Sequence, residues 1–177
     1  SDAACPPPAC RAGIFEWAGP MRPSRSTPPE KDMPNTPSPL ARLSPEELAE
    51  ASTLTVGHYD HSAAGFWEGT RHHDVSQNRH ALLRHLGDGG PHRILDFGCG
   101  PGRDLIAFQS QGHLPTGLEG SAEFVRMARA HSGCEVLHQD FLQLDLPPNR
   151  FDGVFANASL FHVPSQSLAD VLQALWR

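Results

Sequence analysis

The residues Ile94-Leu95-Asp96-Phe97-Gly98-Cys99-Gly100-Pro101-Gly102-Arg103-Asp104 decide how the rest of the chain is read. A short apolar run ends in an acid, three alternating glycines follow, and a helix-like pattern begins at once. This order predicts a parallel strand that delivers the chain into a tight turn where a ligand meets bare backbone. A Cβ in such a turn would block either the unusual φ/ψ or the ligand's approach. Asp96, at the carboxyl end of the strand, is placed to accept hydrogen bonds from a polar ligand.

The spacing of the glycines separates known turns. A dinucleotide fingerprint is G-x-G-x-x-G. Counted from Gly98 this turn is G-x-G-x-G, with Arg103 at the sixth position, which disfavours an NAD(P)-dependent oxidoreductase. No Gly-Lys-Ser/Thr follows, so a P-loop lacks support, and no G-x-S-x-G elbow marks a hydrolase. The pattern Asp96-x-Gly98-x-Gly100-x-Gly102 instead resembles motif I of the class I S-adenosylmethionine-dependent methyltransferases.

The chain has 177 residues, and Lys+Arg 14 against Asp+Glu 20 leaves a net charge of −6. That balance gives no strong basic field for nucleic acid or an anionic membrane. No apolar run reaches the length of a membrane span and no signal-peptide core is visible. Cys5, Cys10, Cys99 and Cys134 form no C-x-x-C pair, which reads as free thiols in a reducing, cytoplasmic setting. The histidines at 58, 61, 72 and 73 bring no third ligand at fixed spacing, so no metal is expected.

Residues 1–43 are rich in proline and poor in large apolar groups, which predicts a disordered segment; Met21 and Met33 each fit a natural start. A domain over 44–177 follows. Ser44-Pro45-Glu46-Glu47 reads as a capping box opening a short helix to about Ser52. Tyr59, Ala63, Phe66 and Trp67 then recur at helical steps on one face. That face packs on the core or covers a ligand. A helix is expected from Asp74 to Leu86, capped by Asp74 or Ser76, then a strand over 93–97 and a helix closing at Gly112. Further expectations are a strand over 114–118 ending at Glu119, a helix capped by Ser121 and closed by Gly133, strands over 134–137 and 151–156, and a last helix opened by Ser165 or Ser167. Strand and helix alternate throughout, so the fold class is α/β with a Rossmann-like, doubly wound parallel sheet.

In such sheets ligands bind beyond the carboxyl ends of the strands. The first strand delivers Asp96 and the glycines; the second delivers Glu119, an acid suited to the two hydroxyls of a ribose. The third delivers Asp140 and Phe141, an acceptor for an exocyclic amine beside an aromatic surface. The fourth delivers the polar segment Asn157-Ala158-Ser159-Leu160-Phe161-His162. Three acids at three successive strand ends describe a site for an adenosine-bearing ligand.

The resemblance to class I methyltransferases covers about residues 55–177. It implies that Asp96, Gly98, Cys99, Gly100 and Gly102 shape the site for the methionine part of S-adenosylmethionine. It further implies that Glu119 holds the ribose, with Gly120 also at the cofactor, that Asp140 and Phe141 contact adenine, and that Asn157 and Ala158 flank the methyl. Tyr59 and Arg71 are expected at the cofactor and Trp67 and His162 at the substrate, with His162 as general base where the nucleophile arrives protonated. The reaction implied is transfer of the sulfonium methyl to a small-molecule nucleophile. The segment Phe66-Trp67-Glu68-Gly69-Thr70-Arg71…Asp74-Val75-Ser76-Gln77-Asn78 is similar to the methyltransferase module of ovothiol-pathway enzymes, which methylates an imidazole nitrogen of a thiohistidine. The family fold has seven strands in the order 3-2-1-4-5-7-6, and only four are expected here. The sequence therefore reads as C-terminally truncated, with an exposed sheet edge open to a homodimer. A donor-binding or regulatory fragment without turnover is the alternative function.

Overall fold

A computed structural model of the chain describes residues 42–177. The proline-rich segment assigned to 1–43 lies outside the described residues, apart from its last two. Leu43 is tied down at both backbone groups: its N–H donates to Gln166 Oε1 at 2.8 Å and its carbonyl accepts from Gln166 Nε2 at 3.0 Å.

Helix α1 runs from Pro45 to Thr70, helix α2 from Ser76 to Leu86, and strand β1 from Arg93 to Phe97. Helix α3 (Arg103–Ser110), strand β2 (Leu114–Glu119), helix α4 (Ala122–Ser132) and strand β3 (Val136–His138) follow. Strand β4 (Gly153–Phe155), a single 3-10 turn (Leu160–His162) and helix α5 (Leu168–Trp176) complete the described chain. The sheet order is β3-β2-β1-β4 and every pairing is parallel, with Asp96 level with Gly117 on one side and Phe155 on the other. This is the Rossmann-like α/β fold read from the alternating pattern.

The core follows from β1. Ile94, Leu95 and Phe97 are fully buried, because a central parallel strand is covered on both faces. Leu95 and Phe97 pack with Leu118, Val163 and Val171, while Ile94 packs with Phe108 and Phe155. Asp104, buried in the first turn of α3, pairs with the partly buried Arg79 and Arg103 at 2.6 and 2.7 Å.

Several boundaries differ from those expected. The expected helix ending near Ser52 continues as one helix to Thr70. Past Ser52 the Thr53 and Thr55 hydroxyls bond back to Ala49 O and Ala51 O at 2.8 and 2.9 Å, and packing on α4 carries the helix through. The capping box at Ser44 and Glu47 is present in both directions. Helix α2 starts at Ser76 after Val75, with no side-chain cap; Asp74 instead accepts from the Ser76 N–H at 2.8 Å. Helix α3 ends at Ser110, two residues before Gly112, and α5 starts at Leu168 with no serine side chain bonded at its cap. Strand β3 begins later than expected because Cys134 N–H is taken by Ser132 Oγ at 3.1 Å. Strand β4 is shorter because Asp152 is engaged with Arg93.

Candidate functional site

The four strands point their carboxyl ends one way and α1 lies across them, enclosing a cavity. Ala51, Ser52, Thr55, Val56, Tyr59 and Phe66 of α1 form its roof. Gly98 and Gly100 come from the turn after β1, and Glu119, Gly120, Ser121 and Phe124 from the β2–α4 junction. Asp140, Phe141 and Leu142 follow β3, and Ala158, Ser159, His162 and Pro164 follow β4.

The glycine turn is built on backbone. Gly98 and Cys99 N–H groups both donate to Leu118 O, at 2.8 and 3.2 Å, which stitches the turn to β2. Gly98 has φ 74°, and a Cβ there would stand 2.4 Å from Ser159 Cβ. Gly102 has φ 95°, and its added Cβ would meet Ala128 Cα at 3.0 Å, so this glycine serves the close packing of α4.

Glu119 is the hub. Its Oε2 accepts from Gly100 N–H at 2.9 Å, and its Oε1 accepts from Gly120 N–H and Ser121 N–H at 2.8 and 3.0 Å. Burial pushes its carboxyl above the usual range, and the three amide donors pull the other way. Asp140 accepts from Leu142 N–H at 2.8 Å through Oδ1 and from Ser52 Oγ–H at 3.0 Å through Oδ2. Phe141 packs on Phe97 with centroids 4.3 Å apart, which fixes the ring at the cavity wall.

At the other end, the Tyr59 hydroxyl and His162 Nε2 share a hydrogen bond of 2.9 Å. Burial lowers the His162 pKa, favouring the neutral ring. Burial also raises the Tyr59 phenol, with Glu119 adding to the effect. Tyr59, Phe66 and Phe124 form a cluster of rings with centroids 5.2 to 5.7 Å apart, and His162 joins it through Tyr59 at 5.3 Å. Asp60, one residue on, accepts from Ser121 Oγ–H at 2.6 Å and Glu123 N–H at 3.1 Å, so α1 helps cap α4. The Ser121 bond is the main reason the Asp60 carboxyl titrates low.

Of the residues singled out in the sequence, Tyr59, Gly98, Gly100, Glu119, Gly120, Asp140, Phe141, Ala158 and His162 meet at this cavity. Six do not line it. Asp96 lies beneath the turn, 3% exposed, with no partner for Oδ2. Burial pushes its carboxyl well up, and Asp104 and Glu119 add to the effect. Cys99 packs inward against Gly117, its thiol likewise raised by burial, and Gly102 faces α4. Asn157 accepts from Asn78 Nδ2 at 2.9 Å. Trp67 stacks on His131 at 4.5 Å and Arg71 pairs with Glu68 on the surface. Phe66 sits seven residues from Tyr59 and returns to its face; Trp67 is turned about 100° further, toward α4. Ser52, Thr55, Leu142 and Ser159 line the cavity without having been singled out. Ser159 stood within the polar segment after the fourth strand, whereas Ser52 reaches Asp140 across 88 residues and left no local signal.

Residues 94–177 match the family model described as a methyltransferase domain. The match spans a little under half of the chain and makes this part similar to a methyltransferase domain. The domain is similar to the 1,6-didemethyltoxoflavin-N1-methyltransferase of Burkholderia thailandensis, solved with 1,6-didemethyltoxoflavin and S-adenosylhomocysteine. That likeness has TM-score 0.57 and 26% identity over 80% of this chain and 62% of the other. The magnesium protoporphyrin IX methyltransferase of Synechocystis PCC 6803 shares the fold, with TM-score 0.56 and 19% identity over 71% of this chain and 70% of the other. Among curated relatives, cycloartenol-C-24-methyltransferase of Arabidopsis thaliana is 28% identical over 109 residues, which is 55% of this chain and 32% of that protein. An uncharacterized methyltransferase of Geobacillus is 28% identical over 116 residues, 64% of this chain and 54% of that protein. The chain thus matches about a third and about half of these two relatives' lengths.

Proposed function

We propose that the chain binds S-adenosylmethionine in the cavity beneath α1 and serves methyl transfer to a small-molecule nucleophile. One observation carries the reading: Glu119 and Asp140, acids from adjacent strand ends, line one cavity together with Gly98 and Gly100, which bring backbone without side chains. The fit to an adenosyl group is chemical. Carboxylates accept the donors of a ribose and an amine, Phe141 offers an apolar ring, and Gly100 leaves its backbone open, an added Cβ there meeting only Phe66 Cε1 at 3.9 Å. S-adenosylmethionine supplies an electrophilic methyl on a sulfonium when bound.

The chain's own groups then orient and desolvate the reactants. Tyr59 and Phe66 in the roof exclude water, and His162 is the group to take a proton from a nucleophile that arrives protonated. Burial, which lowers the His162 pKa, keeps that ring able to accept at neutral pH. The Tyr59 hydroxyl orients it through the 2.9 Å bond. A thiohistidine imidazole is one acceptor of this kind, supported by the sequence resemblance over 66–78. A cytoplasmic location, and a homodimer along the outer edge of β4, extend the same reading.

Titration calorimetry with S-adenosylhomocysteine tests the binding step; micromolar affinity is expected. No heat with millimolar ligand would sink the proposal. Among the described residues no helix is long and apolar enough to cross a membrane.

A further inference from the structure

The segment after β4 carries two irregularities side by side. Ala158 has φ 56°, a left-handed conformation that is strained for a non-glycine residue. Ser159 follows it, 3% exposed, and its Oγ has no hydrogen-bond partner. A buried hydroxyl in that state is unfavourable, and most buried polar groups in folded proteins are satisfied. Both residues line the cavity, and Ser159 is the group that a Cβ on Gly98 would strike first. The absent Cβ at Gly98 and the strain at Ala158 thus meet at one side chain. Across the turn, Asp96 Oδ2 is a second buried oxygen with no partner.

We infer that Ser159 is a ligand-binding residue: its hydroxyl turns about χ1, between staggered wells, to hydrogen-bond the adenosyl ligand beside Gly98. The left-handed Ala158 aims the segment so that the hydroxyl stands ready, and the missing partner belongs to the ligand. The inference rests on the donor-binding reading above and adds to it a residue that neither strand-end acidity nor glycine spacing pointed to. An alanine at 159 removes an unsatisfied hydroxyl from the free protein and a bond from the complex. Stability and affinity therefore move apart, which a purely structural serine would not produce.

The experiment compares S159A with the unmodified chain in two measurements. Calorimetry with S-adenosylhomocysteine is expected to show affinity weakened at least fivefold, while the thermal midpoint stays level or rises. Repeating the titration with 5′-methylthioadenosine, which lacks the aminocarboxyl group, locates the contact: a loss confined to S-adenosylhomocysteine places it at the amino-acid end, and an equal loss places it at the nucleoside. S159C, of similar size and weaker in hydrogen bonding, is expected to behave like S159A. Affinity within twofold of the unmodified chain overturns the inference. So does a loss of affinity that accompanies a lower midpoint, or an S159A chain that does not fold, because each marks a structural role. If the unmodified chain itself binds no S-adenosylhomocysteine, the donor reading fails first, and the two failures are told apart by that control.

Discussion

The floor of the cavity and its roof are made differently. The floor is the β1–β2 pair and the glycine turn, where most residues are buried and the bonds are backbone to backbone or backbone to Glu119. The roof is α1, twenty-six residues long with only Ala63 buried. It is held by side chains: Ser52 to Asp140, Tyr59 to His162, Asp60 to Ser121. Burial gives the floor its rigidity, since each group there has many neighbours and no water to fall back on. The roof depends on a few polar links, each worth about 0.5–1.5 kcal/mol net. Local opening is therefore concentrated in α1. Its links end on the acid, the imidazole and the α4 cap that border the cavity.

The largest effect expected is on the floor. Gly98→Ala forces a Cβ to within 2.4 Å of Ser159 and a left-handed φ on alanine. A loss of about 3 kcal/mol in stability by denaturant titration is expected, with ligand binding abolished. If the variant keeps its stability, the floor is softer than its burial implies. Next is Glu119→Gln, which keeps the shape and removes the charge that three amides share; roughly tenfold weaker binding of S-adenosylhomocysteine is expected by calorimetry.

A pH series separates the regions without touching the roof. Asp96 and Glu119 have folded pKa values raised by burial, so each favours folding most below the ordinary carboxylate range. That contribution is lost as pH rises through the raised folded values. Asp96→Asn is expected to remove its share, so the difference in thermal midpoint between variant and unmodified chain should grow in the variant's favour from pH 4 to pH 8. A difference that is flat with pH argues against a buried, ionising Asp96.

On the roof the effects are smaller. Ser52→Ala removes one link and should leave global stability within about 1 kcal/mol while raising amide exchange over 45–59. Unchanged exchange there would dissolve the contrast between roof and floor. Smallest is Gly65→Ala, where nothing lies within 4 Å of the new methyl. It should stabilise α1 by about 0.5–1 kcal/mol, read as a small gain in denaturation midpoint.

The same contrast explains what the sequence disclosed. The floor was legible because its signals are local: an apolar run, an acid, glycines at fixed steps, and a serine that caps. The parallel sheet and the placing of Glu119 and Asp140 at strand ends followed from that grammar, while the strand order came with the family resemblance. The roof was not. The first helix was expected to end near Ser52, and α4, more than sixty residues away, carries it on to Thr70. The pairing of Ser52 with Asp140 depends on where two distant elements come to rest. Trp67 and Arg71 were drawn toward the site by resemblance, and helical rotation turned one to α4 and the other to solvent. Asp96 sits one layer deeper than its place at a strand end suggested, because β1 is central and its end is covered by the turn it feeds.

Trp67 has a use its packing provides. Its indole lies 4.5 Å from the His131 imidazole and nearly parallel to it, one ring on the roof and the other on α4. An imidazole so placed quenches indole emission. Any lifting of α1 off α4 would part the rings and brighten the fluorescence, so the pair is an optical gauge of closure that can be followed in a stopped-flow cell without any attached dye.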